Sequence, residues 1–171
     1  MTLTSEKSEQ FTGLILLTGE DAPGLANALF ETLSPFAVSI IDIDQIIINK
    51  RLILTVHIVL NPAHQSAIEA DLEALASAEN VDIASVFSYS PSITARPQLH
   101  KVLITSTKVH PRFLAAVTAC INSLEGNIED INRNGLDPVE IVLYVSGVEV
   151  THLKTSLQQI PAEAGTTIAV G

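Results

Sequence analysis

The residues best placed to do chemistry fall in one short stretch, Asp21-Ala22-Pro23-Gly24-Leu25-Ala26-Asn27. Gly24 lets the backbone come close to a ligand. The N–H groups around Leu25–Asn27 would point out of a helix start that carries partial positive charge, so they can take a carboxylate. Asp21 and, further along, Asp42 can offer carboxylates to an ammonium, while Asn27 or Gln45 can add neutral hydrogen bonds to a side-chain hydroxyl. This chemistry suits a zwitterion. The same residues also have a purely architectural reading, in which Asp21 is a helix N-cap, Pro23 lies near the first helical position and Gly24 is a turn residue. The sequence leaves both open.

Other reactive side chains are less informative. Cys120 continues the Leu114, Val117, Ile121 helical stripe and reads as core. His57 lies mid-strand, where an interface or a solvated imidazole is the expectation. His64, His100, His110 and His152 show neither HxH nor HxxxH spacing, so no metal site is expected. Glu69, Asp71, Glu73 and Glu79 read as the wet face of a helix. No Ser/His/Asp pattern and no Gly-rich phosphate loop is present.

The chain has 171 residues, 19 acidic against 9 basic side chains, a net charge of −10 and a pI near 4.7. That balance argues against a nucleic-acid or anionic-membrane partner, either of which wants a basic face. Apolar residues make up 47% and the mean hydropathy is +0.37, enough to exclude global disorder. A single cysteine precludes an intrachain disulfide. No apolar run approaches the roughly 18 residues that span a bilayer, and the first ten residues carry no secretory h-region. The expectation is a cytoplasmic protein.

The elements that must hold the loop are written twice. An offset of 88 residues lays Leu14–Leu16 on Val102–Ile104, Pro23 on Pro111, and Leu25, Leu29 and Leu33 on Phe113, Val117 and Ile121. Ile40, Asp42 and Ile43 fall on Ile128, Asp130 and Ile131. In the first copy Thr12–Thr18 reads as a buried strand, Leu25–Leu33 as a helix stopped by Pro35, and Val38–Ile48 with Leu52–Leu60 as a hairpin joined at Asn49-Lys50-Arg51. Ile68, Leu72 and Leu75 mark a second helix, and Val81–Phe87 a closing strand. The second copy gives strands at Leu99–Ser106, Asn127–Asn134, Val139–Val145 and Thr166–Val170. Its helices are Pro111–Leu124 and the stripe of Val150, Leu153 and Leu157. The division is a leader (1–10), a first module (11–89), a proline-bearing linker (90–98) and a second module (99–171). Each module is a ferredoxin-like βαββαβ unit, an α+β fold whose antiparallel four-stranded sheet has helices on one face. Because the central strands are mostly apolar on both faces, another layer, from the sister repeat or a second chain, should cover the second face, and a homodimer is expected.

Leu16–Gly24 with its Asp-x-Pro-Gly turn, Ala28–Leu33, Val38–Gln45 and the hairpin Ile48–Leu54 together resemble the ACT domain, a regulatory module that binds amino acids. The tandem arrangement resembles the amino-terminal half of actinobacterial-type phosphoserine phosphatases. That resemblance implies a non-catalytic region that senses an amino acid, L-serine above all, pairs through ACT–ACT contacts and exerts feedback control on serine biosynthesis. In such enzymes a haloacid-dehalogenase-like domain follows, with an Asp-x-Asp-x-Thr/Val nucleophile motif and Mg²⁺ at the phosphate. Asp42-Ile43-Asp44-Gln45-Ile46 superficially resembles that motif. However, Ile46 replaces Thr or Val, the segment runs on into an apolar strand, and its repeat partner Asp130-Ile131-Asn132 lacks the second aspartate. No catalytic site and no cofactor are therefore expected in this chain; Mg²⁺ would belong to the absent phosphatase domain. A chain stopping at Gly171 is either the regulatory part of such an enzyme or a stand-alone regulator. The second option resembles the glycine cleavage system repressor, which works by binding a protein partner.

The resemblance places the effector at Asp21, Pro23, Gly24, Leu25, Asn27, Asp42 and Gln45. At the position of Asp42 the family commonly has Asn, so its charge is a departure. The second module replaces Asp21 by Val109 and Gly24 by Arg112, and Lys108, His110 and Arg112 make that loop cationic. One effector site per chain, in the first module, is the expectation.

Overall fold

Alternating burial along the strands fixes which side of each sheet is core. The computed structural model describes residues 9–91 and 97–171, and the chain divides into two compact units, Met1–Thr94 and Ala95–Gly171. In the first unit, β1 (Glu9–Glu20) buries Ile15 and Leu17 on one face and leaves Leu14 and Leu16 on the other. β3 (Arg51–Val59) buries Leu52, Leu54, Val56 and Ile58 on the same side. Onto that side pack α1 (Leu25–Leu33), through Leu25, Leu29 and Leu33, and α2 (Gln65–Glu79), through Ile68, Leu72 and Leu75. With β2 (Ser39–Ile48) and β4 (Asp82–Pro91) the sheet order is β2-β3-β1-β4, every neighbour antiparallel. This is the expected βαββαβ order.

Local chemistry explains the joints. Asn49 and Lys50 both take positive φ, 48° and 62°, as the two central residues of a type I′ hairpin turn must. Arg51, placed in the turn by the sequence, is instead the first residue of β3 and pairs with both Ile48 and Glu20. A short 3-10 turn at Pro62–His64 leads into α2, and Asn61 caps that turn by accepting from the Ala63 N–H at 3.0 Å.

Two boundaries differ from the sequence reading. Glu9 and Gln10, assigned to the leader, pair with Pro91 and Ser90, assigned to the linker. Phe11 lies against Tyr89 (5.0 Å between centroids) and Phe87 (6.3 Å), so an aromatic cluster carries the β1–β4 ladder past the aliphatic run. The rest of the expected leader, and residues 92–96 of the expected linker, lie outside the described residues.

The second unit repeats the plan with β5 (His100–Ser106), α3 (Pro111–Ser123), β6 (Asn127–Asn134), β7 (Val139–Ser146), α4 (Val150–Leu157) and β8 (Thr167–Val170), in sheet order β6-β7-β5-β8. Its own core is built on Val102, Ile104, Phe113, Val117, Ile121, Leu143 and Leu153. The repeat extends to an irregularity. The β2–β3 register slips between Ile40 and Asp42, and the β6–β7 register slips between Ile128 and Asp130, at residues related by the 88-residue offset. No helix among the described residues is long and apolar enough to cross a membrane.

Candidate functional site

The stretch between β1 and α1 is built around a left-handed residue. Gly24 has φ 97° and ψ −10°, the conformation required at the third position of a type II turn, with Pro23 ahead of it where that turn favours proline. Gly24 is therefore the N-cap of α1, and no side chain caps the helix. Asp21 lies three residues upstream, exposed, and its own N–H donates to the Lys50 carbonyl at 2.8 Å, tying the loop to the hairpin end of the sheet. The architectural reading of Asp21 as N-cap is thus replaced by Gly24, because the left-handed turn ends the loop before a side chain could reach back. The Ala28 N–H finds the Gly24 carbonyl at 2.8 Å as the first helical bond. The N–H groups of Leu25, Ala26 and Asn27 precede it in the first turn, where a helix has no acceptors of its own. Asn27 is exposed there, and Leu25 is buried beneath it in the core.

Asp42 and Gln45 lie elsewhere in the unit. Asp42 is opposite His57 and Gln45 opposite Leu54, so Gln45 shares the helix-bearing face and Asp42 the open one. From the Arg51 rung, where β1 and β2 reach the hairpin end, Asp42 is six rungs away and Gln45 three. At about 3.3 Å per residue the Asp42 rung is roughly 20 Å from the loop. The unit brings Asp21, Pro23, Gly24, Leu25 and Asn27 together and keeps Asp42 and Gln45 apart from them and from each other. Asp42 spends one carboxylate oxygen on the N–H of Ile43 at 2.9 Å. The Asp42-Ile43-Asp44 run stays within the paired length of β2, as the strand reading required.

On the open face, Leu14, Leu16, Ile46 and Val86 are 48%, 36%, 42% and 66% exposed, with half-buried His57 among them. Cys120 packs at the edge of the second core, and burial pushes its thiol pKa up, away from reactivity.

The second unit enters its helix differently. Pro111, the counterpart of Pro23, is already the first residue of α3, and His110 is the N-cap with an extended backbone, φ −102° and ψ 139°. With Arg112 in place of Gly24 there is no left-handed turn, so the helix begins two residues earlier in the repeat. Ahead of it, Ser106 bonds Thr166 at 2.8 Å in a buried pair, and its hydroxyl also donates to the Lys108 carbonyl at 2.8 Å. The sequence reading passed over one feature here: a concavity of about 220 Å³ lined by Phe113, Leu157, Gln158, Ile160, Thr166 and Ile168. Its signal in the sequence was the Pro161–Gly165 interruption between α4 and β8.

Residues 12–85 match the family model of the ACT domain, a span containing the Leu16–Gly24 and Val38–Gln45 segments. The phosphoserine phosphatase of Streptomyces coelicolor is 31% identical over 172 residues, taking in 97% of this chain and 41% of that protein. Phosphoserine phosphatase SerB2 of Mycobacterium tuberculosis is 29% identical over 162 residues, 92% of this chain and 40% of that protein. The chain thus spans about two fifths of the length of these curated relatives. The crystal structure of a candidate glycine cleavage system transcriptional repressor superposes with a TM-score of 0.75 at 13% identity, covering 96% of this chain and 98% of that one. An unknown protein from Galdieria sulphuraria gives 0.75 at 13%, covering 95% and 98%. At such identities the structural likeness speaks for the fold alone.

Proposed function

We propose that this chain, whose residues 12–85 match the family model of the ACT domain, is the regulatory, non-catalytic region of a phosphoserine phosphatase, binding L-serine as feedback effector and pairing as a homodimer. Two relatives that align along nearly all of it carry that enzyme's name, which supports the assignment to this region. The observation that carries the effector reading is the helix start at Gly24. A carboxylate fits a first turn that no side chain caps, under the positive end of the helix dipole. Asp21, exposed at the mouth of that loop, is the partner for the ammonium, and Asn27 for the hydroxyl. Asp42 and Gln45 would reach such a ligand only from a second copy of the chain, so the effector is read as held within the homodimer. Its differential affinity for two packings would then carry the signal, and a coupling of about 1–3 kcal/mol suffices for feedback control. Phosphate chemistry and Mg²⁺ belong to a catalytic domain, not to these residues.

Calorimetric titration with L-serine, glycine, L-alanine, D-serine and O-phosphoserine tests this reading. A saturable L-serine signal is expected, weakened at least roughly tenfold in Asp21→Ala by loss of the charge-assisted contact. Binding unchanged in Asp21→Ala would move the site off this loop. Silence across the panel from a folded chain that instead holds a protein partner would favour a stand-alone double-module regulator.

A further inference from the structure

We infer that the groove between α4 and β8 of the second unit is a docking site for a short extended segment of a partner protein, apolar in its middle and acidic at both ends. The inference is independent of the effector reading above. The helix that packs beside the closing strand differs between the modules. α2 has 15 residues and α4 has 8, so α4 stops about two turns short of its counterpart. Beside the shorter helix, the concavity at Phe113, Ile160 and Thr166 continues into a second of about 220 Å³ between Lys154 and Val170. The two share Leu157, Gln158 and Ile168, and so form one trough along β8.

β8 is the outer strand of its sheet, so one side of its backbone has no neighbouring strand. Gly171 exchanges two hydrogen bonds with Lys101, its N–H donating at 2.9 Å and its carbonyl accepting at 2.8 Å. Antiparallel bonding alternates along a strand. Ala169 and Thr167 therefore also face β5, while Ile168 and Val170 turn their N–H and C=O groups outward. The same two residues, both half-buried, line the trough. β8 has no lysine, proline or bulge, and shortness is its one protection. A strand laid beside Ile168 and Val170 gains backbone hydrogen bonds and sets alternate side chains over the trough, as peptides do when they extend a sheet edge. The 4 residues of β8, at about 3.3 Å each, admit a contact of roughly 13 Å.

Charge states which segment fits. Residues 99–171 hold five basic side chains, and three are placed at the ends of this trough. Lys154 lines its Val170 end. At the other end the Ser106 hydroxyl joins Thr166 to Lys108, and Arg112 immediately precedes Phe113. Glu163, whose carbonyl accepts from the Thr166 N–H, is the one acid between α4 and β8. Glu129, Asp130 and Arg133 lie on β6, at the opposite edge of the sheet. A second β8 would bring like charges together, so charge selects an acidic partner and not another copy of this edge. At about 0.15 M ionic strength the screening length is about 8 Å. An acidic segment then responds to these cations and not to the chain's net charge of −10.

The test is fluorescence anisotropy of the full chain with a labelled peptide, Glu-Asp-Val-Thr-Val-Thr-Val-Asp-Glu, blocked at both termini. Saturable binding is expected at that ionic strength. A peptide with glutamine for every acid, and one with proline for the central valine, should each bind at least roughly tenfold more weakly. In the chain, Lys154→Glu should weaken binding by a similar factor. Arg133→Glu, the same change of net charge on the far edge, should leave it unchanged. Gln158→Trp, which fills the trough from an exposed position, should also block binding, and it decides the matter if Lys154→Glu unfolds by circular dichroism. No saturation at about 1 mM peptide overturns the site. So does binding that is indifferent to the acids, to the central proline, or to both chain variants. If Gln158→Trp instead turns a dimer of the chain into a monomer in sedimentation velocity, the occupant is a second copy and the partner assignment falls.

Discussion

At Gly24 the chain turns through φ 97°, and a side chain built there would meet nothing within 4 Å. A change to alanine therefore acts through backbone strain alone and not through a clash. Gly24→Ala is expected to cost about 1 kcal/mol of stability and Gly24→Asn less, since asparagine tolerates the left-handed region better. Urea unfolding of the two variants checks the order; an alanine variant as stable as the parent would mean the turn can be rebuilt without the left-handed residue. The glycine was legible in the sequence as turn chemistry, but its capping role was given to Asp21, because composition shows which residues can cap and not which backbone torsion intervenes. The placement of Asp42 and Gln45 on opposite faces was also within reach, since residues three apart in a strand alternate sides. Their separation from the loop was not, because it depends on the β1–β3–β2 register.

Elements carry the repeat more faithfully than residues do. Both modules keep the strand order and the bulge before Asp42 and Asp130, while the helix starts diverge at Gly24 and Arg112. Periodicity made the strands and helices legible. The ends of β1 and β4 were not, because a backbone ladder supported by Phe11, Phe87 and Tyr89 pays no regard to side-chain polarity. α4 offers a test at this scale. Its N-cap is Glu149, which accepts from the His152 N–H and the Thr151 hydroxyl, both at 3.0 Å. Hydrogen bonds from the backbone at Thr151 and His152 hold its carboxyl below the usual carboxylate range. A depressed folded pKa contributes stability that is present above the unfolded value and lost as pH falls through the folded one. Glu149→Gln should thus lower the urea midpoint at neutral pH and converge on the parent in acid. A gap that stays constant with pH would show that the carboxylate charge is not what the cap uses.

At the scale of the whole molecule, two units with separate sheets and separate cores share one chain, and of the two loops that lead from a unit's first strand into its first helix, that of the second unit has neither a left-handed residue nor an acid while that of the first has both. An effector that binds there stabilises the unit it touches by mass action, about 2.7 kcal/mol at a hundred times its dissociation constant. The second unit, whose loop has Val109 and Arg112 in place of Asp21 and Gly24, receives none of that directly. The chain contains no tryptophan and two tyrosines, Tyr89 in the first unit and Tyr144 in the second. Tyr144→Phe therefore leaves a fluorophore that reports the first unit, and Tyr89→Phe one that reports the second. With saturating L-serine, the melting midpoint read through Tyr89 is expected to rise while that read through Tyr144 stays near its ligand-free value. Equal shifts in both would mean that the units unfold as one cooperative block or that the second loop binds as well. Repeating the melt in Asp21→Ala separates those cases: a cooperative block loses both shifts, whereas a live second site keeps the one read through Tyr144.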